Sequence, residues 1–141
     1  MKIAVRYQSR GGNTKAVAEA IAKEAGVTAE TITVPVSDTV DVLFIGGGLY
    51  KWGIDSTLKN YLENLDPAIV KSVAAFSTGG GMDGTKKIID AVKTKGIAAQ
   101  TQTLPVKFGL RNHALLGGKG FITLKSDQIN LVKDFVKKIT G

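Results

Sequence analysis

The sequence predicts an α/β fold: a three-layer sandwich around a five-stranded parallel sheet in the order 2-1-3-4-5. Short apolar runs alternate with segments of helical period along the chain, the pattern of strands joined by crossover helices. Two of the runs, Val42–Ile45 and Val73–Phe76, are continuously apolar, as strands covered on both faces must be. A chain of 141 residues fits one domain, and five strands suit that doubly wound order. No internal repeat, linker or second domain is visible, so residues 1–141 are read as a single domain.

Ile3-Ala4-Val5-Arg6-Tyr7 is strand 1, and Ser9 to Asn13 is turn chemistry. From Thr14 the period lengthens. Val17, Ile21 and Ala25 are spaced by four, Ala18 and Ala22 lie beside them, and Gly26 stops the helix. Thr28–Val34 alternates polar and β-branched residues, as an edge strand 2 does. Pro35–Thr39 is too short for a helical crossover, which takes about 10–12 residues. The helix between strands 2 and 3 is therefore expected to be missing, with extended chain in its place and a short strand 2.

Asp41 to Ile45 is strand 3 and ends in Gly46-Gly47-Gly48. Asp55 can cap a helix carrying Leu58, Tyr61, Leu62 and Leu65, and Pro67 follows it. Val73 to Phe76 is strand 4, ending in Ser77-Thr78-Gly79-Gly80-Gly81. A helix with Ile88, Ile89 and Val92 runs to Gly96. Thr101–Phe108 holds strand 5, with Pro105 marking an edge or its end. Arg111–Thr123 has no assignable period. Ser126 or Asp127 is expected to cap a last helix, with Ile129, Val132, Phe135, Val136 and Ile139 on one face.

Composition excludes several classes. Hydrophobic residues at 43% and charged residues at 22% are globular values and exclude disorder. Without cysteine there is no disulfide, thiolate zinc site or Cys-ligated iron–sulfur cluster. The N-terminus meets a charge after three apolar residues, and no apolar run approaches the ~20 residues of a membrane span. A cytoplasmic protein without a membrane span is expected. The net charge of +7 admits nucleic acid or an anionic membrane as partners. Most of the lysines fall on predicted helix surfaces, where a solvated face accounts for them, and nucleic acid is not expected as a partner.

Parallel α/β sheets bind ligands at the carboxyl ends of their strands, where strand order reverses. In this order that point lies between strands 1 and 3. Gly11 and Gly12 follow strand 1. Gly46, Gly47, Gly48 and Gly53 follow strand 3, and Gly79, Gly80, Gly81 and Gly84 follow strand 4. More than half of the 17 glycines thus gather on one rim. Each cluster alone reads as ordinary turn glycine; after three central strands they point to a flat cofactor cleft, since glycine lets backbone approach a ligand closely.

Ser9-Arg10-Gly11-Gly12-Asn13-Thr14 lies between a strand and a helix. Its hydroxyls and amide, with the free N–H groups of the helix start, make an anion nest. The segment resembles the phosphate loop of the flavodoxin family, in which hydroxyl-bearing residues surround a Gly-Asn-Thr core and hold the phosphate of FMN. Gly12-Asn13-Thr14 match that core, Ser9 matches the first hydroxyl, and Val17 to Ala22 continue in the family manner. Gly11 stands where a second hydroxyl is usual, and Arg10 can compensate with charge. The resemblance covers the chain in element order, with only this loop at motif grade. It implies a flavodoxin-like sandwich and FMN as cofactor.

Leu49, Tyr50, Lys51, Trp52 and Gly53 resemble the family's first flavin-flanking loop. Tyr50 or Trp52 either stacks on the isoalloxazine or packs on the next helix; stacking adds about 0.5–1.5 kcal/mol beyond burial. Thr78, Gly79, Gly80, Gly81, Met82 and Asp83 resemble the second flanking loop, without the tyrosine often found there. The resemblance therefore implies a ring covered on one side and FMN held more weakly than is usual.

Gly79 to Lys86 approximates a Walker A loop, but Thr85-Lys86 transposes its last two residues and no strand ends in the Asp expected for Mg²⁺. A response-regulator receiver would need acids after strands 1 and 3, which are absent. Gly46–Gly53 does not fit G-x-G-x-x-G. His113, the single histidine, reads as solvent-facing, and no catalytic constellation or metal cluster stands out. In a redox protein of this kind the flavin does the chemistry.

Family members are commonly acidic and dock onto basic partners, from which +7 departs. Basic residues near the ring, with Arg10 and Lys51 as candidates, should stabilise the anionic hydroquinone and raise its potential. The resemblance implies an electron carrier that is a monomer or weak dimer and meets a redox partner protein, an acidic one on this charge. The alternative is an FMN-dependent oxidoreductase of the quinone-reductase or protoporphyrinogen-oxidase kind. A third reading is an interaction domain that has lost flavin.

Overall fold

The computed structural model describes residues 1–9, 12–50, 53–79, 84–106 and 124–141, with the backbone alone for Leu49 and Tyr50. The elements are β1 (Ile3–Gln8), α1 (Asn13–Ala25), β2 (Ala29–Thr31), β3 (Val42–Tyr50), β4 (Gly53–Ile54), α2 (Ser56–Glu63), β5 (Ser72–Thr78), α3 (Thr85–Lys93), β6 (Ala98–Ala99), β7 (Leu104–Val106) and α4 (Ser126–Thr140).

The sheet runs β2-β1-β3-β5-β6, with β7 also beside β5 and β4 folded back on β3. Every pairing in the main sheet is parallel. This is the predicted order, with β7 as the described part of the predicted strand 5, Thr101–Phe108, and the two-residue β6 an addition before it. β6 pairs with the start of β5, at Ser72 and Val73, and β7 with its end, from Phe76 to Thr78. Pro105 sits exposed in β7, where the described sheet has no further strand to receive an N–H. Strand 2 is shorter than the predicted Thr28–Val34, because only Ala29 to Thr31 pair with β1.

Alternation sorts the strand residues onto two faces. One core holds Val5, Tyr7, Phe44, Ala74 and Phe76 under α1 and α4, with Phe44 and Phe135 edge to face at 5.6 Å. The other holds Leu43, Ile45, Val73 and Ala75 under Leu58 and Leu62 of α2 and Ile88 and Val92 of α3. The strands β3 and β5 are buried on both faces, which explains their continuous apolar runs.

No helix joins β2 to β3; the chain from Ile32 to Thr39 crosses in turns and extended backbone. Main-chain carbonyls that a helix would satisfy internally need another donor. Arg6 supplies it. Its guanidinium is buried and donates from Nε to Val34 O at 2.8 Å, from Nη2 to Pro35 O at 3.1 Å and from Nη1 to Val5 O at 3.0 Å. The far end of the crossover is pinned at Asp41, whose carboxylate accepts from the Lys2 N–H at 2.8 Å and lies 3.6 Å from Lys71 Nζ. The Lys2 hydrogen bond holds the Asp41 pKa below its ordinary 3.8.

Two local expectations are corrected. Gly46, Gly47 and Gly48 do not follow strand 3; they lie inside β3, paired to β1 and β5. The reason is space. A Cβ on Gly46 would sit 2.3 Å from the Phe76 ring, and one on Gly47 would sit 2.6 Å from Leu58. These glycines make room for core side chains on opposite faces. The cap of α4 is Lys125 rather than Ser126 or Asp127, and its N–H donates to Gln128 Oε1 at 2.8 Å. Asp55 caps α2 as predicted, accepting from Thr57 N–H at 2.7 Å.

Gly46→Ala is expected to lower unfolding stability by about 1–3 kcal/mol, as overpacking of a dense core does. Urea unfolding of the variant checks this; an unchanged midpoint contradicts it.

Candidate functional site

The carboxyl ends of β1, β3 and β5 lie side by side, with Gln8 opposite Gly47 and Gly48 opposite Thr78. Whatever follows these strands shares one rim.

The turn after β1 is built for a helix start. Gly12 has φ 91°, a left-handed conformation that costs an L side chain roughly 1–2 kcal/mol. The Ser9 hydroxyl accepts from the Gly12 N–H at 3.1 Å and closes the turn. The first helical bond runs from Ala16 N–H to Gly12 O at 3.0 Å. The N–H groups of Asn13, Thr14 and Lys15 thus have no acceptor within α1. Among the described residues no side chain caps this end; no acid lies in its first turn, which carries the exposed Lys15. Partial positive charge and a lysine therefore coincide at one helix end, the arrangement that favours an anion.

A buried contact joins this turn to β5. Thr14 Oγ1 and Thr78 Oγ1 are 2.7 Å apart, in residues 2% and 5% exposed. Two further polar atoms lie nearby. Gln8 Oε1 and Asn13 Oδ1 are buried with no hydrogen-bond partner among the described residues. A buried polar group left unpaired costs about 1–3 kcal/mol. N–H donors without an acceptor in α1, a lysine and two amide oxygens unpartnered among the described residues suit a phosphate ester with a hydroxylated chain.

The second predicted loop is a hairpin in its described part. Leu49 pairs with Ile54 and Tyr50 with Gly53, antiparallel. Lys51 and Trp52 lie outside the described residues. The third begins at Thr78 and Gly79, whose N–H reaches Val106 O at 3.3 Å. Gly80, Gly81, Met82 and Asp83 lie outside the described residues, as do Arg10, Gly11 and His113. Of the predicted site residues, the structure brings together Ser9, Gly12, Asn13 and Thr14 with Thr78 and Gly79, and pairs the Leu49 and Tyr50 backbone at the adjoining strand end with Ile54 and Gly53.

Two residues escape a reading by motif. Gln8 precedes the loop as the last residue of β1, and its polar type at a strand end was the available signal. Lys87 reaches back from α3 to Gly53: a Cβ built on Gly53 would meet its Cδ at 3.1 Å. The signal there was a lysine in the first turn of a helix, against the macrodipole.

Comparison with known proteins gives the class. A family model described as "Flavodoxin domain" matches residues 4–134, nearly the whole chain. The protein belongs to the flavodoxin domain family, a family of FMN-binding redox proteins. No match was found among curated proteins. Oxidised Flavodoxin 2 from Bacillus cereus has a similar fold, at TM-score 0.74 and 16% identity over 99% of this chain and 98% of that one. Two-electron reduced Megasphaera elsdenii flavodoxin gives 0.65 and 15% over 96% and 98%. The apo form of an NADH:FMN oxidoreductase gives 0.63 and 14% over 98% and 88%. Among the described residues no helix is long and apolar enough to cross a membrane.

Thr14→Val and Thr78→Val are each expected to lose about 1–3 kcal/mol by orphaning the other hydroxyl, while the double variant loses much less. A double-mutant cycle by chemical denaturation reads this; additive losses contradict it.

Proposed function

We propose that the chain is a cytoplasmic single-domain carrier of one or two electrons on FMN, serving a redox partner protein with an acidic surface. The observation that carries this is the bare, basic N-terminus of α1, tied to β5 through Thr14 and Thr78.

In this reading Ser9, Arg10, Gly11, Gly12, Asn13 and Thr14 hold the phosphate. Ser9 fixes the turn, Gly12 supplies its left-handed backbone, and the Asn13, Thr14 and Lys15 N–H groups donate to the anion. Asn13 and Gln8 take donors from the hydroxylated chain. Leu49, Tyr50, Lys51, Trp52 and Gly53 flank the ring on one side and Thr78, Gly79, Gly80, Gly81 and Asp83 on the other. When bound, FMN supplies the reversible uptake of electrons; the protein supplies position and field. The charge of +7 supports an acidic partner, through electrostatic steering that weakens with salt. The carrier acts as a monomer or weak dimer.

A second reading makes the chain an FMN-dependent oxidoreductase of the quinone-reductase or protoporphyrinogen-oxidase kind. It draws support from the fold shared with an NADH:FMN oxidoreductase and from the basic charge, which suits an acidic or planar substrate. Steady-state turnover with NAD(P)H and a quinone separates the two, since a pure carrier shows none without a reductase.

The direct test is the visible spectrum of the purified chain, before and after FMN is added and the excess removed. Flavin bands that co-elute with the protein are expected; a chain that stays colourless contradicts both readings and leaves an interaction domain. Lys15→Glu is expected to weaken FMN binding about three- to tenfold and leave riboflavin binding unchanged, because the charge it reverses faces the phosphate. Equal losses for both ligands contradict this assignment.

A further inference from the structure

Lys87 stands in the first turn of α3, where no acid accompanies it and Lys86 precedes it. Cations are unfavourable at a helix N-terminus, so helix stability does not explain the pair. The Lys87 side chain lies across Gly53. A Cβ built on Gly53 would meet Lys87 Cδ at 3.1 Å, Cε at 3.3 Å and Nζ at 3.7 Å. The exposed Lys87 side chain thus lies alongside β4, the strand that pairs with the end of β3.

A groove of about 600 Å³ between α2 and α3 opens at the same place, lined by Gly53, Ile54, Lys59, Lys87 and, farther along, Glu63 and Asp90. The two acids stand one helical turn from the two lysines. Even so, neither Lys59 nor Lys87 forms an ion pair among the described residues. Among the described residues the Lys87 ammonium is thus without a salt bridge, with Glu63 and Asp90 farther along the groove.

We propose that Lys87 sets the redox balance of the bound flavin: its ammonium, folded over Gly53, favours the reduced anionic ring over the oxidised neutral one. The proposal rests on the reading of Leu49–Gly53 as a ring-flanking segment, and names a residue for the basic field that the composition suggests. Two-electron reduction by dithionite, which is itself oxidised to sulfite, adds two electrons and one proton from water at N5. The ring gains one negative charge. A nearby cation binds that state more tightly and leaves the neutral state nearly unaffected.

The experiment measures the ratio of affinities for reduced and oxidised FMN in the full chain, from oxidised-FMN fluorescence titration and the potentials of bound and free flavin. Lys87→Met keeps an unbranched stem over Gly53 and removes the charge. It is expected to lower the ratio about two- to fivefold, the range of an exposed charge pair. Lys87→Arg keeps the ratio. Lys95→Met, exposed just past the far end of α3, makes the same change in net charge and keeps the ratio as well. The Lys87→Met difference shrinks in high salt. An unchanged ratio in Lys87→Met, or an equal fall in Lys87→Met and Lys95→Met, overturns the proposal while the FMN reading stands. A wild-type chain that holds no FMN overturns both.

Discussion

Three consecutive residues without side chains set the geometry at the centre of the sheet. Phe76 and Leu58 fill, on opposite faces, the space that side chains at Gly46 and Gly47 would need. The neighbouring strands therefore stay in register with β3 as far as Gln8 and Thr78. Beyond Gly48, β3 runs past its parallel partners and turns back to pair with β4. The rim is the result: the phosphate-type turn on one side of β3, the end of β5 on the other, and the hairpin between them.

Stability and function pull against each other at that rim. The core beneath it is dense and doubly covered. At the rim, Lys15, Lys86 and Lys87 oppose helix dipoles, and among the described residues α1 has no side-chain cap and two buried amide oxygens have no protein partner. Each choice weakens the chain by itself. In the proposed reading they together suit an anionic ester with hydroxyls and a ring that becomes negative on reduction. Local rules broken in concert at one edge of a well-packed sheet mark a site rather than a poor fold.

Much of the fold was legible because its signals are strong and local. The apolar runs of β3 and β5, the spacing of Val17, Ile21 and Ala25, and a five-residue link too short for a helix gave the topology. Edges were less legible. Glycine after an apolar run reads as a loop, yet Gly46 to Gly48 continue β3, because the steric demand comes from Phe76 and Leu58, distant in sequence. Ser126 and Asp127 are good capping types, but Gln128 reaching back to Lys125 fixed the start of α4. The Ser9 to Thr14 turn was visible as a motif. The Thr14–Thr78 pair and the reach of Lys87 to Gly53 were not, since each depends on how distant elements pack.

The central claim is that the bare N-terminus of α1 holds the phosphate of FMN. Amide NMR of the labelled chain during titration with FMN and with riboflavin tests it most directly. The account predicts large shifts at the Gly12, Asn13, Thr14 and Lys15 amides with FMN, and small ones there with riboflavin. FMN binding that leaves those four amides unmoved would contradict it.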